Sequence, residues 1–378
     1  MFRISMLPAA QGDCLWIEYG TPRSPRRILV DGGVHATADA LREKIEALPP
    51  TKRVFELAVI THVDLDHIAG MLDLLADPPT GLVIKDFWFN GFEHLPASDD
   101  DDTVLGARMG EELMQRLRTQ TSMLKKWNGK FRGKAVSVGS MELPATAAEL
   151  PTFRLAGGMQ ITVLAPLGKR LFRLRKQWVS EIEKLHLVPG RAGEELIGHP
   201  EEEEVDDTVL GEVRLESARD IDRLAQATFH EDGSLANGSS IVLLAEHDGK
   251  RCLLGGDAYA ADVLAAVQLL AGDTNDHFAV DAWKLAHHGG EKNTSAELIA
   301  AIETSCYIIS TSGVRYGHPK PETLARVLTH RPGADTPRFV FNYRSKTTAL
   351  WDDPSKFAPD YTYEPVYPEQ DGTQILAL

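Results

Sequence analysis

The stretch that most constrains this chain is FELAVITHVDLDHIAG, residues 55–70. Its first half, FELAVITH, reads as a buried strand centred on the apolar run 57–60. Beyond it, Ile68, Met71, Leu72 and Leu75 fall at helical spacing. The strand must therefore give way to a helix within His62-Val63-Asp64-Leu65-Asp66-His67, which holds four side chains of metal-ligand type. A strand end fixes the backbone, so His62 and Asp64, two apart, point the same way. The turn re-aims Asp66 and His67 towards a neighbouring point, and the helix N-terminus favours ionised carboxylates there. Imidazole with carboxylate and no thiolate suits zinc, manganese or iron(II).

Two later stretches have the same design. CLLGGDA (252–258) is an apolar run ending in Gly255-Gly256-Asp257, and WKLAHHGG (283–290) runs into His287-His288. A strand followed by Gly-Asp is by itself an ordinary turn. Three strand ends carrying ligand-type residues, in this order, make a site.

The chain has 378 residues, 43% hydrophobic and 25% charged, which describes a globular protein with a substantial core. No run of 18 apolar residues is present, so no membrane span is expected. The N-terminus alternates like a strand and lacks the pattern of a signal peptide, which predicts a cytoplasmic location. Three widely spaced cysteines predict buried thiols rather than disulfides or a metal site. A net charge of −15 excludes a chain coated over its whole surface by nucleic acid. The balance is uneven: 116–134 holds seven Lys/Arg and no acid, and 169–176 adds five more, against SDDDD at 98–102 and EEEEVDD at 201–207. The basic stretches read either as solvated helix faces or as an arm for a polyanion.

Strands are expected at 2–4, 14–19, 27–30, 55–62, 83–89, 159–164, 240–246, 251–254, 283–286 and 307–310. Helices are expected at 37–48, 260–271, 295–303 and 322–330. Polar insertions of helical character occupy about 91–150 and 168–236. Both contain DDTVLG, at 101–106 and 206–211, read as two helix N-caps. A tail after about 335 reads as short strands. The interleaving predicts an α/β sandwich, two sheets inside and helices outside, as one domain over 1–378.

In the order Asp-Gly-Gly, HxDxDH, Gly-Asp-Ala and His-His-Gly, the chain resembles the metallo-β-lactamase superfamily. It is more closely similar to the hydrolase domain of the competence channel protein ComEC and its stand-alone soluble relatives. QGDCLWIEYG, ILVDGG, THVDLDHIAG, NGSSIVLLAEHDGKRCLLGGDA, WKLAHHGG and RYGHPKPETLARV carry that resemblance, collinear from residue 3 to about 328. It implies an αββα four-layer fold and two divalent metal ions, zinc or manganese. Carried over, His62 and Asp64 hold the first metal and Asp66 and His67 the second. Asp257 bridges or binds the second, and His287 completes that shell, with His288 as the alternative. Asp31 orients an imidazole from behind. Asp64 stands where the superfamily has a histidine, and Ala236-Asn237-Gly238 where it has another. The first site is thus poorer in nitrogen, which makes manganese as fit as zinc and favours phosphoesters over β-lactams.

The activity implied is metal-dependent phosphodiester hydrolysis, with nucleic acid as the substrate. Asp66 or Asp257 takes a proton, and His318 either contacts the phosphate, protonates a leaving oxygen, or is a structural turn residue. Lys284, Lys292 and Arg315 are candidate phosphate contacts, and Asn237 and Ser239 line the pocket. Stretches 116–134 and 169–176 would guide DNA or RNA. Two other readings stand beside this one: a hydrolase of small phosphoesters with the insertions as a lid, and a non-enzymatic scaffold that docks protein partners through the insertions.

Overall fold

The computed structural model describes residues 1–96, 107–139, 141–196, 214–272 and 277–378. Both acidic runs and both copies of DDTVLG lie outside the described residues. From the first part of the chain five strands enter the first sheet: β1 (Phe2–Met6), β2 (Leu15–Thr21), β3 (Ser24–Val30), β4 (Leu57–Val59) and β5 (Phe87–Trp88). Eight more form the second sheet: β6 (Thr152–Arg154), β7 (Gln160–Ala165), β8 (Val242–His247), β9 (Lys250–Leu254), β10 (Ala282–Lys284), β11 (Cys306–Ile309), β12 (Arg338–Phe341) and β13 (Glu364–Val366). The last strand, β14 (Gln374–Ala377), returns to the first sheet and pairs antiparallel with β1.

The first sheet has the order β14-β1-β2-β3-β4-β5, and the second runs from β13 down to β6 in sequence order. Each is antiparallel in one half and parallel in the other. In a parallel half the strands all end on one edge, which is why His62, Asp257 and His287-His288 gather there.

Period-two alternation builds the layers. Ile17, Ile28 and Val59 face Ile161, Leu243, Leu254 and Ile308 across the space between the sheets. The alternate residues Trp16, Leu29 and Ala58 pack outward on helices α1 (Thr37–Glu46) and α2 (Leu65–Ala76). On the other side, Leu244, Leu253 and Tyr307 pack against α8 (Ala260–Ala271), α9 (Ala296–Ala301) and α10 (Pro321–His330). Three cores thus separate four layers, helix, sheet, sheet, helix, the αββα arrangement expected. Cys14, Cys252 and Cys306 are free and buried.

The insertions are joined to this frame. The first supplies α3 (Ala107–Thr119), and the second supplies α4 (Gly168–Lys184), α5 (Gly193–Leu196) and α6 (Ala218–Ala225), followed by α7 (Leu235–Gly238). Buried Glu111 of α3 accepts from Trp178 Nε1 of α4 and from the backbone N–H of Gly190 and Ala192, tying the two insertions together. The expected strand over 55–62 is broken: Val54–Phe55 pairs with Val83–Ile84 in a separate ladder, and only Leu57–Val59 enters the sheet. Among the described residues no helix is long and apolar enough to cross a membrane.

Candidate metal centre

Asp31, just past β3, has left-handed backbone, φ 61. Its carboxylate accepts from Thr61 N at 2.7 Å and Thr61 Oγ1 at 2.9 Å, and Oδ2 lies 2.9 Å from His67 Nδ1. Thr61 Oγ1 is in turn 3.0 Å from His62 Nδ1. One carboxylate thus fixes His67 directly and His62 through a hydroxyl, so both rings present Nε2 inward.

Asp64 occupies the N-cap position of α2, yet its side chain makes no capping bond. An aspartate there ordinarily accepts from a backbone N–H of the first turn. Here its Oδ2 lies 3.5 Å from His62 Nε2 instead. Asp66 and His67 follow in the first turn of α2. Gly12 makes room for that turn: a Cβ on it would stand 1.8 Å from the Asp66 carbonyl oxygen.

Asp257 follows β9, its N–H donating to Ser240 Oγ at 3.2 Å. Its Oδ2 is surrounded by imidazoles, at 3.3 Å from His67 Nε2, 3.7 Å from His288 Nε2, 3.8 Å from His62 Nε2 and 3.9 Å from His287 Nε2. Asp66 Oδ2 stands 3.4 Å from His288 Nε2. His287 and His288 are consecutive left-handed residues, φ 50 and 55. Such backbone costs about 1–3 kcal/mol per residue and concentrates at functional sites.

Four buried atoms here have no hydrogen-bond partner: His62 Nε2, His67 Nε2, His288 Nε2 and Asp257 Oδ1. An orphaned buried polar atom is costly, and four on one focus fit cations rather than an apolar filling. Two triads, His62/His67/Asp257 and Asp66/His67/His288, each have donor atoms within 4.8 Å of one another. Nitrogen and carboxylate oxygen donors without thiolate fit divalent zinc or manganese.

The charges are mutually set. Burial opposes charge on His67, but Asp257, Asp31 and Asp66 outweigh it and raise its pKa well above the usual imidazole range. Burial likewise opposes charge on His288, while Asp257 and Asp13 push it up to about 9. Against the same burial, His67 and His288 hold Asp257 well below the usual carboxylate range and lower Asp66. His318 goes the other way: burial, then the fields of His287 and His288, hold it well below 6.5.

Other expected residues sit around this focus. His288 Nδ1 donates to Ser310 O at 2.9 Å. The side chain of His287 is 26% exposed, with Nδ1 2.8 Å from Asn293 Oδ1. Lys284 is 1% exposed, and its ammonium donates to Asp13 Oδ2 at 2.5 Å and Leu285 O at 3.0 Å. It lies beneath the site, so it does not reach a substrate phosphate from solvent. Asn237 Nδ2 donates to Asp232 Oδ2 at 2.6 Å, leaving its buried Oδ1 without a partner, and Ser239 Oγ donates to Ala236 O. Lys292 is exposed, and Arg315 lies over Tyr316.

Sequence reasoning assigned no role to Asp13, Asp232 or Asn293. Asp13 Oδ1 is 3.3 Å from His288 Nδ1, beside the Lys284 pair. Asn293 Nδ2 donates to Asp257 O and to Asp232 Oδ2, both at 3.0 Å. Asp13 had a signal in the QGD turn, whereas Asp232 and Asn293 stand in polar loops without one.

Part of each basic stretch is engaged by other groups of the chain. Arg116 pairs with Glu112, Arg118 with Glu93, and Arg170 with Asp262 through two bonds. Arg175 donates to the carbonyls of Phe92 and Leu95. Lys126, Lys130, Arg132, Lys134 and Arg173 are exposed.

No family model matches the chain, and no curated protein matches it. Among solved structures the chain is similar to Zn²⁺-bound PqqB from Methylobacterium extorquens, at 12% identity over the whole of both chains and a TM-score of 0.41.

Proposed function

We propose that this chain is a metallohydrolase of metallo-β-lactamase fold that cleaves phosphodiesters with a dinuclear centre. The observation that carries the reading is the convergence of His62 Nε2, His67 Nε2, His288 Nε2 and Asp257 Oδ1, buried and without partners. In this reading His62 and Asp64 would hold one ion and Asp66, His67 and His288 the other, with Asp257 available to either. His288 is preferred to His287 because its Nε2 is buried, unpartnered and 3.4 Å from Asp66.

Two divalent ions at such a site supply an activated water at neutral pH and neutralise charge on a phosphoryl group. The chain's own residues do the rest. Asp31 and Thr61 hold the imidazoles in one orientation. Asp66, its side chain 15% exposed, is the carboxylate that takes a proton at the mouth of the site. His318, held neutral, hydrogen-bonds a substrate oxygen rather than delivering a proton as imidazolium. His287, oriented by Asn293, stands beside it with ring centroids 5.0 Å apart. Nucleic acid is the proposed substrate, met through exposed Lys126, Lys130, Arg132 and Lys134 rather than the whole of both basic stretches.

The test is hydrolysis of bis(p-nitrophenyl) phosphate by chelator-stripped protein reloaded with zinc or manganese, beside Asp66→Asn. Turnover that requires metal and falls at least 100-fold in the variant supports the reading. A folded, metal-loaded protein without turnover refutes it.

A further inference from the structure

The rings of the site continue outward to the surface. His287 and His318 have centroids 5.0 Å apart, and His318 and Tyr316 6.1 Å apart with planes inclined by 37°. His318 is 6% exposed, Tyr316 43% and Val314 81%. Large apolar side chains are exposed at only six positions among the described residues, and two of the six stand within four residues of His318. Val314 and Tyr316 thus place exposed apolar surface beside His318. The Arg315 guanidinium lies 5.2 Å from the Tyr316 ring centroid, so a cation accompanies the aromatic face. The loop is tied at both ends: Ser312 N donates to Ala10 O at 2.7 Å, Gly313 N to Thr311 Oγ1 at 3.1 Å, and Thr347 Oγ1 to His318 O at 2.8 Å. Its apolar tip is therefore presented by a fixed base.

A flat ring attached to a phosphodiester fits this rim, the ring on the exposed side of Tyr316 beside Val314 and the phosphate towards the metal centre. A paired base in a duplex has both faces covered by its neighbours, so only an unpaired or terminal base offers a face for stacking. We infer that the 313–317 loop is the specificity platform of this site, and that Tyr316 stacks an unpaired nucleobase next to the scissile phosphate. The inference rests on the phosphodiesterase reading and adds the substrate class: single-stranded or terminal nucleotides, not duplex interior.

The experiment measures calorimetric affinity of metal-loaded protein for a dithymidine phosphorothioate and for its abasic counterpart, in wild type, Tyr316→Ala and Tyr316→Phe. Circular dichroism checks that the variants fold. Base–aromatic stacking is worth about 5- to 150-fold in affinity. The expected result is a gap of that order between the two ligands in wild type, kept in Tyr316→Phe and closed in Tyr316→Ala. Equal affinity of wild type for both ligands, or a gap that survives Tyr316→Ala, overturns the inference. Turnover of bis(p-nitrophenyl) phosphate by the same preparation separates the failures: turnover without the gap overturns the platform alone, and absence of both overturns the phosphodiesterase reading as well.

Discussion

Asp13 and Lys284, 271 positions apart, meet at 2.5 Å beneath the candidate metal centre, with side chains 2% and 1% exposed. Burial opposes ionisation of Asp13, but Lys284 and then His288 hold its pKa below the usual carboxylate range. Removing one member of a buried pair leaves the other charge uncompensated, at a cost of about 3–5 kcal/mol. Asp13→Ala is therefore expected to lower stability by that order in urea unfolding. Replacing both residues together, as Asp13→Leu with Lys284→Met, is expected to cost less than the single change.

Asp31 orients two imidazoles at once, through His67 Nδ1 and through Thr61. Groups that hold metal ligands from behind are typically worth about 10–100-fold in metal affinity. Asp31→Asn replaces an accepting oxygen with an amide donor that cannot accept from His67. Competition titration with a zinc chelator is expected to show a loss of that size, with the far-ultraviolet circular dichroism spectrum unchanged.

The charged imidazoles give the metal-free protein a distinctive pH dependence. His67 and His288 have folded-state pKa values above the unfolded imidazole value of about 6.5, about 9 for His288. Their contribution to stability is full below pH 6.5 and is lost as pH rises through the folded values. The Tm of chelator-treated protein is thus expected to fall between pH 6.5 and 9. Metal binding requires neutral imidazoles, so the loaded protein is expected to hold its Tm over that range. Parallel thermal scans check the difference, and a Tm of the stripped protein that rises over the same window would contradict it.

Gly12 packs against the first turn of α2 with no room for a side chain. A methyl group at 1.8 Å from the Asp66 carbonyl forces the α2 N-terminus to move. Gly12→Ala is expected to lower stability by about 1–3 kcal/mol. It is also expected to reduce turnover well beyond what partial unfolding explains, since Asp66 and His67 shift together.

Salt dependence tests the nucleic-acid contact. Binding of single-stranded DNA is expected to weaken linearly in log–log form, with a slope of about 0.7 per neutralised phosphate. Lys130→Ala combined with Arg132→Ala is expected to reduce that slope by about 1.4. The double change Arg116→Ala with Arg118→Ala, at residues already paired with Glu112 and Glu93, is expected to leave it unchanged.

The layers of the fold were legible because both faces of each sheet are buried, and period-two patterns such as Trp16/Ile17 and Leu253/Leu254 register in sequence. The focus of the site was legible for the same reason, as each ligand-type residue follows an apolar strand. What the sequence left open depends on contacts between distant segments. Two adjacent histidines, His287 and His288, look alike in one dimension, and only left-handed backbone at both decides which Nε2 is buried against Asp66. Lys284 looked like a phosphate contact because it stands next to the site, but its partner Asp13 lies at the other end of the chain. The basic stretch at 116–134 looked available because its neighbours lack acids, yet Arg118 finds Glu93, 25 positions away in sequence. The tail after 335 read as short strands, which it forms, but that β12 and β13 extend the second sheet and β14 closes the first was not readable from it.

The most direct test is to count the divalent ions bound to the native chain by elemental analysis after dialysis against zinc or manganese, in wild type and in Asp257→Ala. The expected result is two ions per wild-type chain and a loss of at least one in the variant. A natively folded wild-type chain that retains no divalent ion would contradict the metal centre, and with it the hydrolase.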